Sequence, residues 1–336
     1  MAFRFIERDD MEFYENVRHR RFVRPSENNK HKVYSAKDID SCLTDFFESN
    51  FFDKKKGLLL SGGMDSGILA SYMPGCDAYT FRYLGGDLYK DELARAELFA
   101  RINRMKLHYI DIDWDTTVEG YLDKIMIAKG EPVHSIEPQI MQAACSALND
   151  DIDIMIIGAG SDDVFGGIDK LLSKDWKYDE FKRRFMYTDP DIVLNEPVDM
   201  DYAFEPWKRN VDDIDYMGFL DANSTLETDL SFYNAFLTAG LDYFDPYIMM
   251  EMGEPLDLYR IRHGESKYLI RELFRMKYQE IPVPEKLPMP RPVDLYFQNW
   301  QGPVRHEFKE NLNMDAFTGN QKWQMWCLER FLNLME

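Results

Sequence analysis

Cysteine is scarce in this sequence and poorly placed for pairing. The 336 residues include four, Cys42, Cys76, Cys145 and Cys327. None stands at Cys-x-x-Cys spacing, and a chain of this length needs no disulfide staples, so a reduced, cytoplasmic environment is expected. Long apolar runs are missing as well. No window approaches the roughly 20 apolar residues of a membrane helix. The N-terminal stretch Met1-Ala2-Phe3-Arg4-Phe5 leads into Glu7, Asp9 and Asp10, without an apolar core of signal-peptide length. Positive charge is in deficit: 40 basic residues stand against 60 acidic ones, a net of -20. Nucleic acids are dense polyanions whose binders carry a basic face, and Lys182-Arg183-Arg184 is too short a cluster to make one. The balance counts against nucleic acid and towards a small-molecule or protein substrate. The six histidines include no pair at metal-ligand spacing, and there is no repeat of fixed period.

What is present is an ordinary globular composition, with 45% hydrophobic and 14% aromatic residues, arranged in alternation. Ile39, Leu43, Phe46 and Phe47 predict a helix that begins near Ser35 or Asp38. A strand is predicted over 57–61, then a glycine loop and a helix over 65–73. Further strands are expected at 77–83, 106–114 and 152–158, with helices at 91–104, 117–129 and 137–149 between them. Strands alternating with helices through short connections predict an α/β fold with a parallel, doubly wound sheet. After residue 170 strand signals fade, and helical stretches at 175–186, 222–239, 266–279 and 319–335 dominate. The expected organisation is an N-terminal extension over 1–40, an α/β core over 41–170, and a mainly helical part over 171–336 that completes the site.

Two glycine loops carry the chemistry. The first is Leu60-Ser61-Gly62-Gly63-Met64-Asp65-Ser66, where a buried strand feeds a tight turn and a helix N-terminus. Backbone N–H groups there, backed by the helix dipole, make an anion site, and glycines let phosphate oxygens approach the backbone. Ser61 and Ser66 add hydroxyl donors. Asp65 would repel a phosphate unless Mg²⁺ lay between them. The Gly-Lys-Ser/Thr ending of a Walker A loop is missing. A bare Gly-Gly turn is commonly a mere connection; the flanking Ser and Asp-Ser on the first sheet strand tip the reading to function. The second loop, Gly158-Ala159-Gly160-Ser161-Asp162-Asp163-Val164-Phe165-Gly166-Gly167, again follows an apolar strand. In a parallel sheet both loops open at the carboxyl ends of strands, where ligands bind. Asp162 is then a second candidate for the metal.

These residues resemble the asparagine synthetase family, within the N-type ATP pyrophosphatases. Ser61 to Ser66 is similar to the family's pyrophosphate (PP) loop, and Gly158 to Gly167 to its Gly-Glu-Gly-Ser-Asp-Glu-Val-Phe-Gly-Gly motif. Gly130-Glu131-Pro132-Val133, Phe244-Asp245 and Gly264-Glu265-Ser266-Lys267-Tyr268-Leu269-Ile270-Arg271 resemble later segments, the last of which carries a catalytic lysine. The resemblance covers roughly residues 40–290. It implies a fold of the adenine nucleotide α-hydrolase type. It also implies an AMP-forming carbon–nitrogen ligase, in which a carboxylate attacks the α-phosphate of ATP and ammonia or an amine displaces AMP. Asp65 and Asp162 would ligate Mg²⁺. Leu60, Ser61, Gly62, Gly63, Asp65, Ser66, Gly158 and Gly160 would bind ATP, and Lys267 would stabilise charge in the transition state, acting on turnover more than on ATP affinity. Two departures bear on the acceptor. Ala2 stands where family members with a glutaminase domain have a cysteine nucleophile, and little chain precedes the ATP loop. A stand-alone synthetase domain, like those of bacteriophage genomes, is expected, with a homodimer or a separate ammonia-supplying partner left open. Ala159 stands where the family has Glu or Tyr, a proton acceptor, so the nucleophile is in question.

Other features read more plainly. His134 and His263 flank the motif segments and could line the pocket. Trp323 and Trp326, with Met325 and Leu328, read as a packed amphipathic helix. Pro282, Pro284, Pro288, Pro290 and Pro292 break the helical pattern; Arg291 among them either sits in a rigid linker or reaches a phosphate or carboxylate. Two rival functions remain: modification of a tRNA or nucleotide, against which the charge and the absent Cys-x-x-Cys pair count, and a binding protein weakened by Ala159, against which Asp65, Asp162 and Lys267 count.

Overall fold

The apolar run Gly57-Leu58-Leu59-Leu60 forms the middle of a sheet. The structure, a computed structural model, describes residues 1–6, 12–14, 17–22, 26, 29–49, 53–84, 89–285, 289 and 291–336. Strand Lys56–Leu59 pairs in parallel with Asp77–Tyr83 on one side and Ile154–Ile156 on the other. Lys106–Ile112 extends the first side and Asp242–Phe244 the second, making five parallel strands. Both faces are covered, as a parallel sheet requires. Leu58 and Leu60 point into one apolar cluster, with Ile39, Ile68, Phe99 and Phe274. Leu59 points the other way, into a cluster with Leu122, Ile140, Phe236 and Trp323. The same alternation sends Ile156 to the first cluster and Met155 and Ile157 to the second. Each such buried aliphatic side chain contributes about 1.5–3 kcal/mol. The fold is thus the expected doubly wound α/β sheet with a helical C-terminal part.

Chain direction places the site. From Lys56–Leu59 successive strands move outward through Asp77–Tyr83 to Lys106–Ile112; then the chain returns to Ile154–Ile156 on the opposite flank. The loops after Lys56–Leu59 and Ile154–Ile156 therefore leave adjacent strands in opposite directions. This opens a crevice at the carboxyl edge, the usual ligand position in open α/β sheets.

Most predicted elements are found. The helices Ala36–Ser49, Lys90–Ile102, Glu137–Asn149, Tyr216–Ala239, Tyr268–Lys277 and Gly319–Met335 occupy the expected stretches. Three strand pairings lie outside the sequence reading, one of them the antiparallel pair Glu12–Tyr14 and Val17–Arg18. Asp242–Phe244 adds a strand where strand signals fade, and His31–Val33, in the N-terminal extension, pairs in parallel with Met250–Met252. Each of these strands has at most three residues, too few to show a period of two. Of the proline cluster, Pro288 and Pro290 lie outside the described residues. Among the described residues no helix is long and apolar enough to cross a membrane.

A third cluster, rich in aromatic rings, carries the first residues of the chain towards the crevice. Phe3 and Phe5 stack on each other, and Phe3 meets Phe185 and Phe204 edge-on or tilted. Their burial holds the intervening Arg4 in place.

The edge strand Asp242–Phe244 ends in Asp245, which is 2% exposed. Its carboxylate accepts the N–H of Gly160 at 2.7 Å and that of Tyr247 at 2.9 Å. Asp245→Ala leaves two buried donors without acceptors, each costing about 1–3 kcal/mol. Thermal unfolding should show a loss of that size, and a melting temperature within a degree of wild type would contradict this role.

Candidate active site

The first glycine loop is shaped by its neighbours before any ligand arrives. Gly62 has φ of +78°, and a Cβ there would lie 2.1 Å from the carbonyl oxygen of Glu92. Only glycine fits both the left-handed backbone and the contact. Arg95 Nε donates to the Gly62 carbonyl at 3.1 Å, tying the loop to helix Lys90–Ile102. The two serines close the loop on itself. The N–H of Ser61 donates to Ser66 Oγ at 3.2 Å, the hydroxyls lie 3.1 Å apart, and the N–H of Gly63 donates to Ser61 Oγ at 3.2 Å. Gly63, the N-cap of helix Met64–Ala70, offers no capping side chain, so part of the first turn is left to another acceptor.

The second loop is drawn against the first. A Cβ on Gly158 would lie 3.1 Å from Leu69 and 3.5 Å from the Cβ of Asp65. Ser161 Oγ donates to Asp65 Oδ1 at 2.8 Å, and Tyr247 Oη donates to the Asp65 carbonyl at 3.1 Å. Gly160 packs against Ile248, where a Cβ would come within 2.2 Å.

Lys267 joins the two loops. It is 4% exposed, and its backbone is left-handed with φ of 55°, a conformation costly for a residue with a side chain. Its Nζ lies 2.7 Å from Asp65 Oδ2 and 2.5 Å from Asp162 Oδ1. Burial works against the ammonium charge, but the two aspartates outweigh it and raise the pKa. Gly167 makes room for this contact: a Cβ there would lie 2.1 Å from Asp162 Oδ1 and 2.4 Å from Lys267 Cε. Two further carboxyls surround the triad. Burial pushes Asp245 up to about 7 against its backbone donors, with Asp65 adding to the rise. Burial, then the charge of Asp162, likewise lifts Asp163 to about 7.

A cavity of about 310 Å³ opens over this junction. Of the residues singled out in the sequence, Leu60, Ser61, Gly63, Asp65, Ser66, Gly158, Asp162 and Lys267 line it. Gly62 and Gly160 stand behind the wall and serve its shape. Ala159, His134 and Arg291 line it too. His263 does not; its Nδ1 meets the Tyr259 carbonyl at 2.7 Å in an exposed turn. Trp323 lies in the core and Trp326 packs against it. Lys182, of the short basic cluster, is held by Asp201 at 2.5 Å. Arg4, Glu92 and Glu227 also line the cavity and were not found from the sequence, because no motif surrounds them; Arg271, at the end of the Lys267 segment, lines it too but was given no role there.

Among the described residues no group of three or more His, Cys, Asp or Glu side chains gathers as a metal site. Asp65 and Asp162 do converge, and two carboxylates supplemented by substrate phosphates and water are a usual donor set for Mg²⁺.

A five-stranded parallel sheet with a PP-loop and a second glycine loop at its switch point defines an ATP-using protein of the PP-loop class. A family model described as asparagine synthase matches residues 50–238, more than half of the 336, and the chain belongs to that family. No curated protein matches it significantly. Among solved structures, an NMN synthetase from Francisella tularensis is 14% identical, with 40% of this chain and 59% of that chain covered and a TM-score of 0.28. A U34-tRNA thiolase from Methanococcus maripaludis, solved with its 4Fe-4S cluster, is 14% identical over 75% of this chain and 83% of that chain, also with a TM-score of 0.28. Neither superposition is close enough to transfer a substrate or a cluster.

Glu92 offers a test of the cavity's polarity. Burial pushes its carboxyl up to about 7, with Arg95 opposing. The folded protein then keeps a proton that the unfolded chain has lost. The contribution of Glu92 to stability therefore falls as pH rises from the ordinary carboxyl range through about 7. Glu92→Gln should melt higher than wild type at about pH 8, and the gap should close at about pH 5. A difference independent of pH would contradict this environment.

Proposed function

We propose that the chain is an AMP-forming ligase that joins a carboxylic acid to ammonia or an amine. The observation that carries this is the meeting of Lys267, Asp65 and Asp162 where the two glycine loops line one cavity. The PP-loop backbone and the hydroxyls of Ser61 and Ser66 receive the β- and γ-phosphates of ATP. Asp65 and Asp162 would hold Mg²⁺, which neutralises phosphate charge when bound.

A carboxylate oxygen of the substrate attacks the α-phosphorus. The new P–O bond forms as the bond to pyrophosphate breaks, leaving an acyl-adenylate. Ammonia or an amine then attacks the acyl carbon, the C–O bond to AMP breaks, and the nitrogen loses a proton. Lys267, fixed between two loops, presents positive charge to the phosphates and to the developing carbonyl oxyanion without reorganisation. Ala159 leaves a cavity wall without a proton acceptor and with room for a nucleophile larger than ammonia.

The spent nucleotide should be AMP with pyrophosphate, because the loop lacks the lysine that serves γ-phosphate transfer. Chromatography decides between this and stoichiometric ADP, which would refute it.

The geometry also alters what loss of Lys267 should do. Nζ neutralises both aspartates, and with nucleotide bound it would also face the phosphates. Lys267→Ala should lower turnover by about a hundred- to thousandfold. It should also weaken nucleotide binding at low Mg²⁺, with binding recovering as Mg²⁺ rises to replace the missing charge. Calorimetric titration across Mg²⁺ concentrations reads this, and nucleotide affinity equal to wild type throughout would contradict the bridging role.

A further inference from the structure

Five lysine and arginine side chains line the cavity over the glycine loops, and four of them are tied to a partner. Lys267 lies between Asp65 and Asp162. Arg95 Nε donates to the Gly62 carbonyl at 3.1 Å, and Arg271 Nε to the Ser266 carbonyl at 2.8 Å. Arg4 gives Nε, at 2.7 Å, and Nη2 to Glu227 Oε1, and the Tyr187 hydroxyl donates to the same oxygen at 2.6 Å. Arg291 is the fifth. It makes no hydrogen bond or ion pair with any of the described residues, although it is half-buried. A guanidinium withdrawn from water without a carboxylate loses hydration that nothing in the fold returns. Burial accordingly works against its charge and lowers its pKa, with Glu227 opposing. Such a cation is completed when a ligand brings the missing anion into the cavity.

The chain around Arg291 is anchored. Pro292 follows it and disfavours a helical backbone at Arg291, and the helix Val293–Tyr296 starts only after that proline. Val293 and Phe297 are each 2% exposed, and Phe297 meets Trp114 and Trp323 edge-on. Asp294 Oδ1 accepts the N–H of Gly319 at 2.6 Å, at the start of the helix Gly319–Met335. The guanidinium is therefore presented from a fixed corner, which lowers the entropy lost when it binds.

After burial, the groups that bear most on Arg291 are Glu227, Tyr89, Tyr83 and Asp294, and none belongs to either glycine loop. Lys267 is thus one cationic pole of the cavity, at the junction of the loops, and Arg291 is another, away from it. In the proposed reaction the phosphates lie at the loops and pyrophosphate leaves towards them. The attacking oxygen must reach the α-phosphorus from the opposite side, roughly in line with the leaving one. It is an anion approaching an anion, and a cation not already spent on the phosphates favours that approach. A guanidinium also offers two parallel N–H donors, which match a carboxylate. An ammonium would be repelled there.

We infer that Arg291 binds the carboxylate of the acyl substrate and orients it, on the side of the cavity away from the glycine loops, for attack on the nucleotide. The assignment rests on the adenylylation reading and names the residue that holds its acid.

The test uses the full chain with Mg²⁺, ATP and a panel of acids: acetate, butanoate, benzoate, succinate and aspartate, each beside its fully amidated counterpart. Exchange of pyrophosphate into ATP reads activation, and calorimetry with a non-hydrolysable ATP analogue reads nucleotide binding without acid. Wild type should exchange with at least one acid and with no amide. Arg291→Gln should raise the KM for that acid about ten- to a hundredfold, as expected for a lost charge-assisted hydrogen bond, and leave nucleotide affinity unchanged. Arg291→Lys, which keeps the charge and loses the fork, should fall between. Thermal unfolding separates this from a structural role: Arg291→Gln removes an unpaired charge and no bond, so it should melt no lower than wild type. An acid KM unchanged in Arg291→Gln overturns the inference and leaves the ligase reading standing. Weaker nucleotide binding without acid does the same, because the anion received would then be a phosphate, and so does a lower melting temperature, which would give Arg291 a partner within the fold. Absence of exchange with every acid in the wild type counts against the ligase reading itself, and the assignment falls with it.

Discussion

The Lys267 ammonium held between Asp65 and Asp162 is the interaction on which the site depends. Each aspartate belongs to a different loop, and each loop leaves a different strand of the sheet. Without the cation, two carboxylates would face each other across a partly buried crevice. Without the carboxylates, a buried ammonium would be left alone. Breaking a buried pair by removing one partner costs about 3–5 kcal/mol, although an intact pair adds little net stability. The bridge is therefore better understood as a device for position. It sets the spacing of the two loops and leaves fixed charge in the crevice between them.

Other costs in the structure follow from that bridge. Lys267 takes a left-handed backbone so that its side chain can turn back into the crevice, and Gly167 gives up a side chain so that the ammonium can pass. Gly62 and Gly158 bring the loops close to the helix behind them and to each other. Asp245 pins the second loop from the far edge of the sheet. Residues from 245 and 267 thus complete a site begun at 61–66, and the helical half of the chain is part of the site as well as its cover.

The sequence disclosed the parts of this arrangement that have local chemistry. The strand-loop-helix pattern at Leu58 to Ser66 has a distinct period, a glycine turn and an unusual aspartate, so the loop and its place on the sheet could be read directly. Asp162 could be read from the second glycine loop and Lys267 through family resemblance, and the structure brings both to Asp65. The short pairings of Asp242–Phe244 and His31–Val33 left no periodic trace, because three residues do not establish one. Arg4 was beyond reach for another reason. Its position comes from the burial of Phe3 and Phe5 among Phe185 and Phe204, roughly 180 to 200 residues away in the chain. Nothing near Arg4 in the sequence signals that contact. Glu227 lies in the middle of a 24-residue helix, where it looks like any solvated carboxylate until the guanidinium is seen beside it.

The proposed adenylylation of a carboxylate leaves a trace in the fate of its oxygens. The acid that supports turnover is supplied with both carboxylate oxygens labelled as oxygen-18, and the nucleotide product is examined by mass spectrometry. Attack by the carboxylate on the α-phosphorus, followed by transfer of the acyl group, predicts one labelled oxygen in the phosphate of AMP. Label appearing in inorganic phosphate, or AMP without label at full turnover, would contradict adenylylation.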